Sequence, residues 1–362
     1  MPPLREIVAT HAPLALTIGG LLIGCAFGAV VYATGYCAMG GLSDIHNFGD
    51  YRRFRAWILA AATALVGTQL LQALAIVALD RSIYLAPEVN WAGHIIGGGM
   101  LGFGMVFAGG CPSRNLARAG GGDLRSLVSL IVLGLVAYMT TGGLLAYPRA
   151  LLEQATSLPL ARSTQGLGEL VAAIAPLKVG ASNVLVGGLI ALAAGIYCFG
   201  DAAFRASRLH VFSGVAIGLL VVAGWALTGL ADDDMAVHPL PPVSLSFVRP
   251  TGDAIEWLTR FTAQPLPGFP AASVVGALLG AFAAARRMGR FRITTFADGS
   301  DTLRNLMGAA LMGSGGVLAL GCTVGQAITG VATLALGSFL TFAAIVAGGR
   351  WGLRVLERNS LA

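Results

Sequence analysis

Long apolar runs constrain this chain more than any other feature of its sequence. Several of them are about 20 residues long, which is the length that a helix needs to cross a bilayer. Only 11% of the 362 residues are charged, whereas an average soluble domain carries about 25%. The sequence therefore predicts an all-α, polytopic integral membrane protein.

The apolar periods place about nine spans along the chain, and two of them are interrupted. Arginine-rich loops follow every odd-numbered span, so they share one side of the membrane, which the positive-inside rule makes cytoplasmic. We expect the N-terminus outside, the C-terminus in the cytoplasm and the polar segment 231–268 as an external loop. The predicted spans are 13–36, 56–79, 92–118 (interrupted), 124–147, 179–200, 209–230, 269–285, 303–329 (interrupted) and 331–350.

The two interrupted spans resemble each other. When the chain is aligned with itself so that Cys111 lies over Cys322, GFGMVFAGGC falls on GSGGVLALGC and Asn115 falls on Gln326. Four spans, one linker span and four more spans would place the second copy upside down, which is the inverted-repeat plan of many transporters. We therefore predict one transmembrane transport domain over 1–362, with inverted repeats at 13–147 and 209–350 and a linker span at 179–200.

Each interruption combines features that suit a passing anion. A helix broken inside the membrane exposes backbone groups that only protein or a cavity can satisfy, and the half-helix that follows begins with partial positive charge. Gly110 and Gly321 leave room for a close approach of backbone or ligand. The neutral thiols of Cys111 and Cys322 are soft, polarisable contacts, so they suit a ligand that contains sulfur.

Polar side chains follow each cysteine within about two helical turns. We expect the amides of Asn115 and Gln326 to donate hydrogen bonds to oxygens of the ligand. Arg114 and Arg118 lie towards the predicted inner mouth. Two interpretations of these arginines remain open: attraction of the anion, or simple anchoring by the positive-inside rule.

Other patterns argue against other classes of function. The five cysteines show neither CxxC nor CxxxxH spacing, so we predict no metal site and no disulfide framework. Arginines in short loops indicate orientation in a membrane rather than nucleic-acid binding. No Asp or Glu falls clearly inside a span and only His94 lies near the start of an interrupted one, so proton coupling is not supported. We also predict no cofactor, because no dinucleotide or phosphate-loop motif is present.

Three segments carry a resemblance to a known family: YC at the end of the first span, GFGMVFAGGCPSRNLARAGGGDLRSL in the middle and MGSGGVLALGCTVGQAITG near the end. With these segments the chain resembles the YeeE/YedE sulfur-transport family over most of its length. The resemblance implies a bacterial inner-membrane protein with inverted repeats and an hourglass shape, surrounded by lipid. It also implies uptake of thiosulfate along a path lined by three cysteines, and a cytoplasmic partner of the TusA sulfur-carrier type.

Carried over to this sequence, the three cysteines are Cys37, Cys111 and Cys322, which would pass thiosulfate from thiol to thiol. We expect Cys111 and Cys322 near the middle of the path and Cys37 at its inner end. We also predict that the chain is not an enzyme. Two alternatives stay open: a membrane sulfurtransferase that forms a cysteine persulfide, and a less selective channel for anions or selenium compounds.

Overall fold

The computed structural model of this chain describes residues 8, 11–160, 162–174, 178–232, 241–296 and 298–361. These residues form helices almost throughout, and the predicted all-α class is confirmed. Their sheet is one antiparallel pair, β1 (Glu88–Asn90) and β2 (Ser157–Pro159), with Val89 opposite Leu158. The part of the predicted external loop at 233–240 lies outside the described residues.

The helices of the first half include both long spans and short pieces. A π-helical turn, Gly93–Gly97, runs directly into α4, and two 3-10 turns, Leu79–Arg81 and Ile83–Leu85, precede β1. The α-helices are α1 (Ala12–Thr34), α2 (Ala38–Phe48), α3 (Arg52–Ala73), α4 (Gly98–Phe107), α5 (Pro112–Gly120), α6 (Leu124–Gly142) and α7 (Ala146–Thr156).

The second half repeats this mixture of long and short helices. A π-helical turn, Gly325–Gly330, and a 3-10 turn, Val331–Thr333, lie between its last two α-helices. The α-helices are α8 (Leu167–Ile174), α9 (Val179–Phe199), α10 (Ala202–Ala206), α11 (Arg208–Ala231), α12 (Arg249–Thr259), α13 (Phe269–Arg287), α14 (Gly299–Leu318) and α15 (Leu336–Leu361).

Eight segments of the described chain are long and apolar enough to cross a membrane. They match every predicted span except 303–329, which corresponds to α14 and the π-helical turn after it. The first turns of α14 carry Asp301, Arg304 and Asn305, and these polar side chains lower its hydropathy. Both predicted interruptions are present, because α4 ends at Phe107 before α5 begins, and α14 ends at Leu318.

Glycines bring the long helices into backbone contact. Gly24 and Gly28 of α1 lie against the backbone of Ser273 and Ala277 on α13. A side chain at either glycine would collide with a carbonyl, so a larger residue there would force the two helices apart. Small residues at such interfaces are typical of helix packing in membranes, where van der Waals contact replaces the hydrophobic effect.

The same kind of contact joins α11 to α3. Gly214 lies against Ala56, and Gly218 lies against Ala60. Thus α1, the first helix described at length, packs on the later helix α13, while the later helix α11 packs on the early helix α3. Contacts that run in both directions between the two halves tie the chain into one helical body.

Segment 231–268 is more than a surface connector where it is described. It contains α12, and the residues Leu245, Phe247 and Val248 just before that helix are fully buried. Gly252 of α12 packs against the backbone of Gly134 on α6. Apolar side chains of this stretch therefore enter the core, and the external position of segment 231–268 stays a prediction.

Candidate functional site

The two interruptions share one backbone geometry. In the first, Gly110 N donates to Met105 O (2.9 Å); in the second, Gly321 N donates to Gly316 O (2.7 Å). The residue before each of these glycines is left-handed, Gly109 with φ 68° and Leu320 with φ 59°. Both α4 and α14 therefore end in the same capping turn immediately before a cysteine. A leucine in this conformation costs about 1–2 kcal/mol, so its surroundings must hold the second turn in place.

Cys37 and Cys111 form one pair of thiols. Their Sγ atoms lie 3.7 Å apart, although the two residues come from different spans. Each residue caps a helix: Cys37 precedes α2 and accepts a hydrogen bond from Gly40 N (3.3 Å), and Cys111 precedes α5. Cys111 Sγ also contacts Ser113 Oγ at 3.3 Å. Both cysteines are buried, so the pair marks a protected position at two helix N-termini.

Cys322 lies apart from this pair, in a nest of backbone N–H groups. Its Sγ accepts hydrogen bonds from Phe247 N (3.3 Å), Val324 N (3.4 Å) and Gly325 N (3.3 Å). Ser246 Oγ also reaches it, at 3.9 Å. Because these donors occupy the lone-pair side of the sulfur, the thiol proton is left to point elsewhere. Cys322 is fully buried.

The amides of Asn115 and Gln326 hold the broken backbones. Asn115 Nδ2 donates to Gly110 O (3.2 Å), and Gln326 Nε2 donates to Ala319 O. On the other side of each amide, the Asn115 oxygen accepts from Ser126 Oγ (3.4 Å) and the Gln326 oxygen accepts from Ser338 Oγ (2.6 Å). Both amides therefore hydrogen-bond backbone carbonyls of the interruptions.

The two arginines after Cys111 have different environments. Arg118 donates to Gly109 O (3.0 Å) and forms an ion pair with Asp123 (2.6 Å), so its charge is already matched. Arg114 Nη1 donates to Val31 O (3.4 Å). Among the described residues no carboxylate lies within ion-pair distance of Arg114. Of the two, Arg114 is the better candidate for attracting an anion.

Sequence reasoning missed the contribution of segment 241–248. The sequence SLSFV at 244–248 contains no pattern that predicts the contacts of Ser246 and Phe247 with Cys322. Trp57 was also missed: its Nε1 donates to Thr323 O (3.2 Å), directly after Cys322. His94, which we placed near the start of a span, is buried and bonds Thr341 Oγ1 (2.8 Å), so it serves packing between α15 and the turn before α4.

This arrangement offers a small anion sulfur contacts beside helix N-termini. The described residues contain no group of three or more His, Cys, Asp or Glu side chains that could hold a metal ion. The five cysteines are free thiols. What the site offers is soft sulfur contacts beside the N-termini of helices, where N–H dipoles favour negative charge.

Comparison with known proteins agrees with this chemistry. Residues 33–351 match a family model described as "Sulphur transport", and that range includes Cys37, Cys111 and Cys322. The chain is similar to the thiosulfate transporter TsuA of Spirochaeta thermophila, with 27% identity over 326 residues that cover 89% of this chain and 93% of that protein. It is also similar to the thiosulfate transporter TsuA of Escherichia coli K12, with 25% identity over 344 residues that cover 86% and 87% respectively.

Proposed function

Because this chain belongs to the sulphur transport family, we propose that it carries thiosulfate, or a closely related sulfur anion, across the cytoplasmic membrane into the cell. The observation that carries this proposal is the placement of three buried thiols at helix ends: the Cys37–Cys111 pair and the isolated Cys322. The relatives named as thiosulfate transporters support the choice of anion.

Thiols in these positions discriminate by softness. Thiosulfate carries sulfonate oxygens at one end and a polarisable sulfur at the other. The Cys322 sulfur accepts three N–H bonds, so its S–H can donate to the terminal sulfur of the anion. In the Cys37–Cys111 pair one thiol can donate to the other, which again leaves one S–H free. We call Cys322 the first cysteine station and the Cys37–Cys111 pair the second. The anion would pass from the first station to the second by exchanging S–H···S hydrogen bonds, and no covalent bond would form or break.

The order of these stations follows from the proposed orientation. Cys37 stands closest to the arginines of the first turns of α3, an end of that helix which we assign to the cytoplasm. Cys322 is contacted by segment 241–248, which adjoins the proposed outer side. Thiosulfate would therefore meet Cys322 first and leave from Cys37 and Cys111, where a cytoplasmic sulfur-carrier protein of the TusA type could receive the sulfur.

Inverted repeats are the second part of the proposal. Gly97 lies against Gly315 O and Gly104 lies against Gly308 O. In turn, Gly315 lies against Gly97 O and Gly308 lies against Gly104 O. In the repeat alignment Gly97 corresponds to Gly308 and Gly104 to Gly315, so the contacts exchange under a two-fold rotation. Because Gly97 meets Gly315 and Gly104 meets Gly308, α14 runs antiparallel to α4 and the π-helical turn before it. A two-fold axis in the membrane plane produces this antiparallel arrangement.

Substitution of the thiols tests the transport path. We expect Cys111→Ala and Cys322→Ala to abolish growth on thiosulfate as the only sulfur source, while the protein remains in the membrane. Serine at either position should rescue poorly, because a hydroxyl is a harder contact than a thiol. Cys25→Ala is the matched control and should grow normally. Normal growth of both site variants, with this protein as the only uptake route, would contradict the proposal.

A sulfurtransferase is the competing function, and mass spectrometry separates it from passage. In that reaction a cysteine thiolate would attack the terminal sulfur of thiosulfate and release sulfite, leaving a persulfide heavier by one sulfur atom, about 32 Da. We expect intact thiols after exposure to thiosulfate. Flux into proteoliposomes that sulfate competes away at equal concentration would instead indicate a less selective anion channel.

A further inference from the structure

A groove on the outer face of the helical body has the composition of a lipid site. It has a volume of about 570 Å³ and lies between α3 and α15. Phe54, Phe342 and Val346 form its apolar walls, and Arg350 and Arg354 stand at one end. None of the residues that line it is a cysteine.

The charge at the end of the groove is unmatched. Arg350 and Arg354 are exposed and lie one helical turn apart on α15. In the part of the chain that the structure describes, no carboxylate lies within ion-pair distance of either guanidinium. Beside them Trp351 is 64% exposed, and an exposed tryptophan is typical of the level of lipid headgroups. A phosphate is the partner that this position favours.

From these observations we infer that the groove between α3 and α15 binds an anionic glycerophospholipid, with its phosphate on Arg350 and Arg354 and an acyl chain along Phe54, Phe342 and Val346. Basic pockets between membrane helices are known to suit anionic headgroups. The apolar length of the groove favours a lipid over a soluble phosphate or an acidic peptide, neither of which would cover it.

The groove also has a structural link to Cys322. The ring of Trp57 lies 4.8 Å from that of Phe342 and 5.9 Å from that of Phe54, measured between centroids. The indole N–H of Trp57 holds Thr323 O at 3.2 Å. An acyl chain that fixes the two phenylalanines would therefore steady the backbone beside Cys322. This consequence for transport rests on the proposed function, whereas lipid binding itself does not.

Lipid retention measures binding directly. The purified full chain is mixed with equal amounts of phosphatidylglycerol and phosphatidylcholine of the same acyl composition, and bound lipids are identified by native mass spectrometry. We expect preferential retention of phosphatidylglycerol, reduced by about 30-fold in affinity, or about 2 kcal/mol, in the double variant Arg350→Gln/Arg354→Gln. The double variant Arg287→Gln/Arg290→Gln, which removes two exposed arginines elsewhere, should retain the lipid.

A second variant tests the acyl part of the site. Ala347→Trp would fill the groove from its exposed wall while leaving both arginines in place, and it should lower retention of both lipids. Equal retention of the two lipids by the wild type, or equal loss in the two arginine variants, would overturn the inference. So would a dimer that only the Arg350→Gln/Arg354→Gln variant loses, because the groove would then hold a second copy.

Thiosulfate flux in vesicles of different lipid is a second, independent measurement. Thiosulfate flux should be several-fold faster in phosphatidylglycerol vesicles than in phosphatidylcholine vesicles for the wild type, and equal in both for Arg350→Gln/Arg354→Gln. If no form of the protein moves thiosulfate, the proposed function fails, and the retention experiment still decides the lipid site.

Discussion

Single residues at the interruptions divide into those that offer sulfur and those that hold the backbone. Cys37, Cys111 and Cys322 have thiols within reach of other soft groups or of N–H donors. Asn115 and Gln326 are buried at the same places, yet both side chains are spent on backbone carbonyls. We therefore expect the thiols to select the anion, while the amides hold the broken backbones beside them.

This division makes a prediction for the amides. Asn115→Ala or Gln326→Ala leaves a buried carbonyl without its donor, which should cost about 1–3 kcal/mol of stability. Thiosulfate flux should fall, but the ratio of thiosulfate flux to sulfate flux should stay unchanged, because both amides already donate to backbone carbonyls. Flux in proteoliposomes and thermal melting provide the two measurements. Asn47→Ala, which removes an exposed amide bonded to Ser43, is the control, and a changed anion ratio in the site variants would show direct contact instead.

Two kinds of interaction position the helices: a carboxylate that caps the start of α6, and close glycine contacts between α1 and α13. Asp123 begins α6 by accepting from the backbone of Arg125 (3.1 Å) and Ser126 (3.4 Å), and it pairs with Arg118, which holds the first interruption. Burial raises the pKa of the Asp123 carboxyl, but Arg118, the Ser126 hydroxyl and Arg125 together lower it further, so the net pKa lies below its usual value.

Because the pKa of the Asp123 carboxyl is lowered, the stability that Asp123 gives to the start of α6 depends on pH. The stabilisation is fully present above the unfolded-state pKa of about 3.9 and is lost as the pH falls through the folded-state value. We expect Asp123→Asn to melt at lower temperature than the wild type at neutral pH, with the two converging below about pH 4. Asp50→Asn is the control: the Arg52 side chain lowers the pKa of Asp50 to about 2, but this pair is solvent-exposed, so its loss should matter little. A constant difference between Asp123→Asn and wild type at every pH would rule out the ion pair as the cause.

Glycine contacts make a second prediction at this scale. Gly28→Ala would drive a methyl group into the Ala277 carbonyl and push α1 away from α13. We expect a loss of about 1–3 kcal/mol, the usual cost of overpacking, measured by thermal melting in detergent. Gly195 of α9 has open space where its side chain would be. Gly195→Ala should therefore be neutral or slightly stabilising, since alanine is the better helix former by about 1 kcal/mol. Equal effects at both sites would mean that helix propensity, not packing, decides.

For the whole molecule, apolar periodicity was enough to predict eight of the nine spans and both interruptions, because the membrane requires long apolar helices and tolerates breaks only inside protein. The matching of Cys111 with Cys322 pointed to the repeated capping turn that the structure contains. Contacts between residues far apart in the sequence could not be predicted from the sequence. The proximity of Cys37 to Cys111, and of Phe247 to Cys322, depends on how spans pack, and no local pattern records that packing.

Orientation in the membrane is the remaining whole-molecule property, and α13 offers a direct test of it. This helix has 19 residues and a length of about 28 Å, close to the thickness of the bilayer core. The exposed residue Thr262 precedes it, and the exposed Arg287 ends it. Given cytoplasmic arginine loops, Thr262→Cys should react with a membrane-impermeant thiol reagent on intact cells, whereas Arg287→Cys should react only after the membrane is opened. The native cysteines are buried apart from the partly accessible Cys25, so Cys25→Ala is the background for both variants. The reverse pattern would invert the molecule and turn the proposed uptake path into an export path. Labelling of both sites on intact cells would mean that α13 does not cross the membrane.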